Sequence, residues 1–174
     1  MVAKLPRGAG VVFRAFGAAD ARERGSALAR VARRRGVVFL VGADAGLAVR
    51  LRADGVHLPE RISGRTGAIA RLRGRFLVTA AAHSLPVALR ARRAGVDAIV
   101  VSPVFESRSP SAGRPLGPRA LASLVRAARL PTYALGGVTA ATARALPRTG
   151  AVGLAAVEAL TTDDPRPLPP RRSG

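Results

Sequence analysis

The chain has 174 residues and no cysteine; 48% of its residues are hydrophobic but only 3% aromatic, and its formal net charge is +19. That length suits one domain with a sizeable core yet is short of the roughly 250 residues of a full eightfold barrel, and a core of Ala, Val and Leu favours alternating helices and buried strands over a β-sandwich. Disulfides and thiolate metal sites are excluded, and with no apolar run near about 18 residues and no signal-peptide core, a soluble cytoplasmic protein with no membrane partner is expected.

Residues 1–10 have no hydrophobic period and read as a loop. Residues 11–16 (VVFRAF) read as a first strand with Arg14 as its one charged residue in an apolar setting. Asp20 is positioned to cap a helix reaching about residue 35, with Leu28, Val31 and Ala32 recurring at helical spacing and the arginines outward. Gly36 ends that helix and residues 37–41 form a second buried strand. Asp44 begins a shorter helix with Leu47, Ala48 and Leu51 on one face, and residues 55–58 (GVHL) are a brief strand. A looser segment, 62–73, is expected to be helical; residues 76–80 are the next strand, and Ser84 caps a helix through residue 93.

The centre of the chain is the stretch 96–109, VDAIVVSPVFESRS. Its β-branched run 97–101 fits a strand covered on both faces, and Ser102-Pro103 ends it. A polar loop with Ser107, Ser109, Ser111 and two arginines follows, until Pro118 opens a helix at its first position. That helix, 118–129, shows Leu121, Leu124, Val125 and Ala128 on one face; strand 132–135, helix 140–146 with Thr139 as its N-cap, and strand 152–156 complete the pattern. The tail 161–174 is rich in proline and charge and is expected to be disordered.

Helix ends near Arg52-Ala-Asp-Gly, Arg93-Ala-Gly-Val and Arg148-Thr-Gly-Ala each precede a buried strand, the grammar of repeated βα units. Seven strands so spaced predict an α/β fold, a parallel (β/α)8-type barrel domain over residues 11–160 lacking its first βα unit, which would lie before residue 1. An open doubly wound sheet is the alternative. With seven strands, 11–16 and 152–156 face a gap, so the chain is expected to be N-terminally truncated by one unit of about 30–40 residues. Homo-oligomerisation is the other way to cover those edges.

In such a fold a polar loop at the carboxyl end of a buried strand is where ligands bind, although an ordinary surface turn has the same composition. Gly136 and Gly137 follow a strand, where glycines let backbone N–H groups approach a phosphate. The net charge invites a nucleic-acid reading. Lys4 is the only lysine, however, and the arginines sit on separate helices without interleaved aromatics, so solvated helix faces are preferred over a polyanion stripe and no nucleic-acid partner is expected.

The run GVDAIVVSPVFESRS…LGP followed by PTYALGGVT resembles the GPVF-x-T-x-T…LG and IGGI signatures of the thiamine phosphate synthase/TenI family of phosphate-binding barrels. Further similarity lies at ADGVHL (residues 53–58), at Ala82-His83-Ser84 against the family's STH or SVH, and at VVFR (11–14) against its QLREK strand. The matches run in the family's order over roughly residues 10–160.

The resemblance implies joining an aminopyrimidine methyl diphosphate to a thiazole phosphate with release of pyrophosphate, a site holding Mg²⁺, and small phosphorylated pyrimidine and thiazole partners. Carried over residue by residue, it makes Arg14, Ser107, Ser109, Gly136 and Gly137 the substrate- and phosphate-binding residues. The motif's lysines fall on Phe16 and Pro110. The metal carboxylates fall on Ala43 and Ile62, leaving Asp44 and Glu60 as the nearest candidates for metal. A small serine after the last family strand is replaced by the segment containing Glu158, which would repel a phosphate if it faced inward.

His83 resembles the histidine of the TenI-like thiazole tautomerases, whose proton transfer needs no cofactor, and imidazole suits that chemistry near neutral pH. His83 is therefore the catalytic candidate, while His57 reads as a packed barrel residue. The resemblance leaves three functions open: synthase, tautomerase, or a non-catalytic phosphate-binding paralogue.

Overall fold

The computed structural model describes residues 2–15, 17–63, 72, 74–107 and 113–157. Phe16, Ser109, Pro110, Glu158, the tail, and all of the expected 62–73 helix except Ile62, Ser63 and Leu72 lie outside the described residues. Strands and helices alternate, with most of the residues between β3 and β4 outside the described set: β1 (Gly10–Phe13), α1 (Ala21–Arg35), β2 (Val38–Gly42), α2 (Ala45–Leu51), β3 (Gly55–Leu58), β4 (Leu77–Ala82), α3 (Leu85–Ala94), β5 (Ala98–Val101), α4 (Gly117–Ala128), β6 (Thr132–Ala134), α5 (Ala140–Ala143) and β7 (Gly153–Leu154). Every neighbouring pair is parallel, in the order β1-β2-β3-β4-β5-β6-β7. Spatial order equal to chain order is that of a barrel wall; a doubly wound sheet would reverse at a switch point, so that alternative is excluded.

The strand register separates two layers. Phe13, Val41, Val56, Val78, Ile99, Val101 and Ala134 share the side packed on the helices, with Ala32, Leu47, Ala48, Ala91, Leu121 and Leu124 opposite them in one continuous core. Phe13 and Phe39 stack there with ring centroids 6.1 Å apart. The alternate residues, Val12, Leu40, Gly55, Leu77, Val100 and Tyr133, line the other side, the barrel interior. Gly55 belongs there because a Cβ would run into the carbonyl oxygen of Leu77 on the next strand. Val12, Leu77 and Tyr133 remain 36%, 40% and 39% exposed, so this side is open to solvent among the described residues.

The recurring Asp at the strand starts has a role that the sequence pattern alone does not reveal. Asp54 accepts the Phe39 N–H at 2.8 Å and Asp97 the Val78 N–H at 2.7 Å. Each carboxylate thus satisfies the N–H of the second residue of the preceding strand, ahead of a backbone partner on the next one.

Several expected boundaries shift. Residues 1–10 are not all loop: Val2–Lys4 is a 3-10 turn with Val2 buried, and Gly10 already pairs with Val38. Arg14 follows β1 and is exposed, so its setting is a rim and not an apolar strand interior. Asp20 and Ser84 occupy N-cap positions without a side-chain cap bond, and Asp20 instead faces Arg24 at 3.5 Å. Glu60–Ile62 is a 3-10 turn. Pro118 is the second helical residue, since α4 starts at Gly117. The helix expected over 140–146 stops at Ala143 and gives way to a 3-10 turn, Pro147–Thr149, because Pro147 cannot continue it. The last strand is only Gly153–Leu154.

Candidate functional site

Parallel strands linked by right-handed crossovers put every βα connection at one face. Arg14 follows β1, Asp44 β2, Glu60 β3, His83 β4, Ser102–Ser107 β5 and Gly136-Gly137 β6. The candidate residues that are described therefore share the carboxyl-end face; Ser109 falls among the residues that are not described.

Gly42, His57 and Thr79 lie in one interior layer, and Arg14 borders it from the rim. A Cβ on Gly42 would sit 3.1 Å from Cγ of Arg14, and Gly42 is in register with His57, which is in register with Thr79. His57 Nδ1 and Thr79 Oγ1 are 2.9 Å apart. Burial, and secondly the positive charge of Arg14, push the His57 imidazole from 6.5 down to about 4. At neutral pH the ring is neutral, so Arg14 supplies the positive charge of this layer and His57 a packed, polar wall.

A second cluster joins three strand ends. The His83 N–H donates to Glu60 Oε2 at 2.9 Å, and the same carboxylate oxygen lies 3.6 Å from His83 Nε2. His83 Nδ1 bonds the carbonyl oxygen of Ser102, with Ser102 Oγ 3.3 Å away. A carbonyl only accepts, so Nδ1 carries the hydrogen and Nε2 is the nitrogen left for proton exchange. The side chain of His83 is about half exposed (51%), open to a ligand at the mouth.

The loop after β5 is fastened at both ends. Val104 N–H donates to Leu135 and Phe105 N–H to Gly136, while Leu116 and Gly117 donate to Pro103 and Val104. Gly136 and Gly137 have positive φ, 92° and 62°. A Cβ on Gly136 would meet Pro103 Cα at 2.8 Å, and one on Gly137 would overlap the Glu106 carbonyl oxygen. These glycines let the β5 and β6 loops touch, a packing role beside the phosphate role expected for them. Thr139 caps α5 through a reciprocal pair with Thr142, as its position predicts.

The carboxylates do not fit the Mg²⁺ that the resemblance implies. Asp44 commits Oδ1 to the Leu47 N–H at 2.8 Å, and Glu60 is turned onto His83. Among the described residues there is no group of three or more His, Cys, Asp or Glu that could hold a metal ion. Mg²⁺ demands near-ideal octahedral oxygen geometry. Two carboxylates already engaged by a helix cap and an imidazole do not offer it.

The fold and this mouth define the class: a parallel βα-barrel protein with arginine, imidazole and hydroxyl groups gathered at the carboxyl ends of its strands. Comparison with known proteins makes that specific. The family model for thiamine monophosphate synthase matches residues 8–160, and the chain belongs to that family. It is 36% identical over 134 residues to a thiamine-phosphate synthase of Chloroflexus aurantiacus, an alignment covering 76% of this chain and 61% of the relative. It is 33% identical over 136 residues to the Chlorobium luteolum thiamine-phosphate synthase, covering 78% and 64%. Among solved structures, a thiamine phosphate pyrophosphorylase from Pyrococcus furiosus superposes with a TM-score of 0.72 at 27% identity, covering 85% of this chain and 71% of that one. The chain thus spans less than two thirds of the length of these two curated relatives.

The Glu60–His83–Ser102 cluster was not foreseen as a unit. Its members are 23 and 19 residues apart, and only the strand order brings them together. The Arg14–His57 layer was readable in principle, from the alternation of side chains once the register of three strands is known.

Proposed function

We propose that the protein is a thiamine phosphate synthase-like transferase, taking a pyrimidine methyl diphosphate and a thiazole phosphate. The observation that carries this reading is the convergence of Arg14, Ser107 and the Gly136-Gly137 loop on one face of a barrel of this family. In the reaction the bond between the pyrimidine methylene carbon and the diphosphate oxygen breaks, with its electrons leaving on pyrophosphate. The lone pair of the thiazole nitrogen forms the new C–N bond. Negative charge grows on the departing diphosphate, so preorganised cationic and hydrogen-bond donors stabilise the transition state. In this proposal the Arg14 guanidinium grips the diphosphate, the Ser107 and Ser109 hydroxyls hold the pyrimidine-side phosphates, and the glycine loop receives the thiazole phosphate. Mg²⁺ would add charge neutralisation if bound, but the carboxylates do not fit it and no step here uses it. Phosphorylated substrates do not cross membranes unaided, so the proposal places the protein in the cytoplasm. Pyrophosphate release should require both substrates; release from the diphosphate alone, or none at all, would defeat the reading.

One observation favours a second reading, that of a TenI-like thiazole tautomerase. His83 has its Nδ1 hydrogen fixed on Ser102 and its Nε2 left to exchange a proton, and proton transfer needs no metal. His83→Ala should then abolish isomerisation of a thiazole carboxylate phosphate. Synthase turnover should fall much less, because C–N bond formation does not require that proton.

A further inference from the structure

The face opposite the mouth holds a cluster of cations that the proposed chemistry does not use. Gly36 and Arg52 terminate α1 and α2 and lead into β2 and β3, so these helix ends lie at the amino ends of the strands, away from the βα loops. Two adjoining hollows of about 240 and 340 Å³ lie between α1 and the C-terminal end of α2; they share Ala29, Arg33 and Arg52, and the larger runs back along α1 to Glu23. Arg30 and Arg50 complete the cationic lining, with Glu23 and Asp54 as the acidic groups.

The charges there are not balanced. Asp54 is committed to the Phe39 N–H at 2.8 Å. Among the described residues no carboxylate lies within ion-pair distance of Arg30, Arg33, Arg50 or Arg52. Four arginines and two acids line the hollows, and with Asp54 on a backbone N–H, Glu23 is the other acid there. Arginine at a helix C-terminus complements the helix dipole, which accounts for Arg33 and Arg50. It does not account for Arg30, a turn earlier, nor for Arg52, which holds a left-handed conformation (φ 51°) where glycine would be unstrained. The Arg33 guanidinium reaches the Arg52 carbonyl at 3.4 Å, linking the two helix ends.

We propose that this groove between α1 and the C-terminal end of α2 is a second anion site, for a compact phosphorylated ligand carrying two or more negative charges. Planar guanidinium groups around one concavity can match phosphate oxygens in pairs, and the concave shape selects a small anion over an extended one. The site is separate from the mouth and does not depend on the activity proposed for it.

The test is calorimetric titration of the full chain with inorganic tripolyphosphate in about 0.15 M salt, where surface attraction is screened. The groove variant Arg33→Ala/Arg52→Gly should lose affinity by at least about tenfold, the loss expected for charge-assisted contacts. Its melting temperature should hold or rise, since alanine suits a helix and glycine the left-handed cap. Arg30→Gln/Arg50→Gln, which leaves both caps intact, should lose affinity similarly. Arg14→Ala at the mouth and Arg90→Ala/Arg92→Ala on α3 should retain a site with affinity within about twofold of the parent. No binding by the parent, equal losses in the α3 control, or loss confined to Arg14→Ala would each overturn the proposal.

Discussion

His57 offers a sharp electrostatic test of how the barrel interior is built. Its imidazole is held at about 4 in the folded chain against an ordinary 6.5, first by burial and then by Arg14. At about 1.4 kcal/mol per pH unit, that gap is worth on the order of 3 kcal/mol. The native ring resists protonation while the unfolded ring accepts it, so this contribution is fully present above pH 6.5 and is lost as pH falls through about 4. Urea unfolding from pH 7.5 to 4 should show the chain losing more stability than a His57→Asn variant, by roughly 2–3 kcal/mol. NMR titration of the His57 ring in Arg14→Ala should give a higher midpoint than in the parent, because the secondary cause is gone while burial remains. Pyrophosphate bound beside Arg14 should raise the midpoint in the same direction. Identical pH profiles for parent and His57→Asn, or a midpoint near 6.5 in the parent, would refute the burial of His57, and an unchanged midpoint in Arg14→Ala would refute the placing of the Arg14 charge beside it.

Other consequences follow from the same geometry. Gly137→Ala forces a side chain into a left-handed backbone and onto the Glu106 carbonyl, and should cost about 2–4 kcal/mol, seen as a drop of roughly 5–15 °C in melting temperature. Arg14→Ala should weaken pyrophosphate binding about 10- to 100-fold by calorimetry with little change in melting, since the side chain is exposed; unchanged affinity would make Arg14 a rim residue only. Ser107→Ala with Ser109→Ala should impair substrate binding while shifting stability by under about 1 kcal/mol, and a collapse of melting with normal binding would make the loop structural.

The alternation of elements was legible because the core is simple: buried β-branched runs such as Ile99–Val101 and amphipathic faces such as Leu121 and Leu124 on α4 identify their own layers. Element ends were less legible because side-chain caps were assumed where the backbone does the work. Asp20 and Ser84 stand at N-cap positions but bond nothing there, whereas Asp44 and Thr139 do cap their helices. For the site, candidate residues could be picked out in the sequence, but their partners could not. Glu60 read as a candidate metal carboxylate because it is the acid nearest Ile62, on which the family's carboxylate falls, yet its oxygen is directed at His83, which lies on the next strand end. Gly136 and Gly137 read as a phosphate loop, and nothing local announced that the chain after β5 fills the space their missing side chains leave.

The most direct measurement of the central claim is formation of thiamine phosphate itself, read as thiochrome fluorescence after oxidation of a mixture of protein, pyrimidine methyl diphosphate and thiazole phosphate. The account predicts product that depends on both substrates and falls sharply with Arg14→Ala. A folded protein that yields no thiochrome even at enzyme concentrations equal to substrate would contradict it.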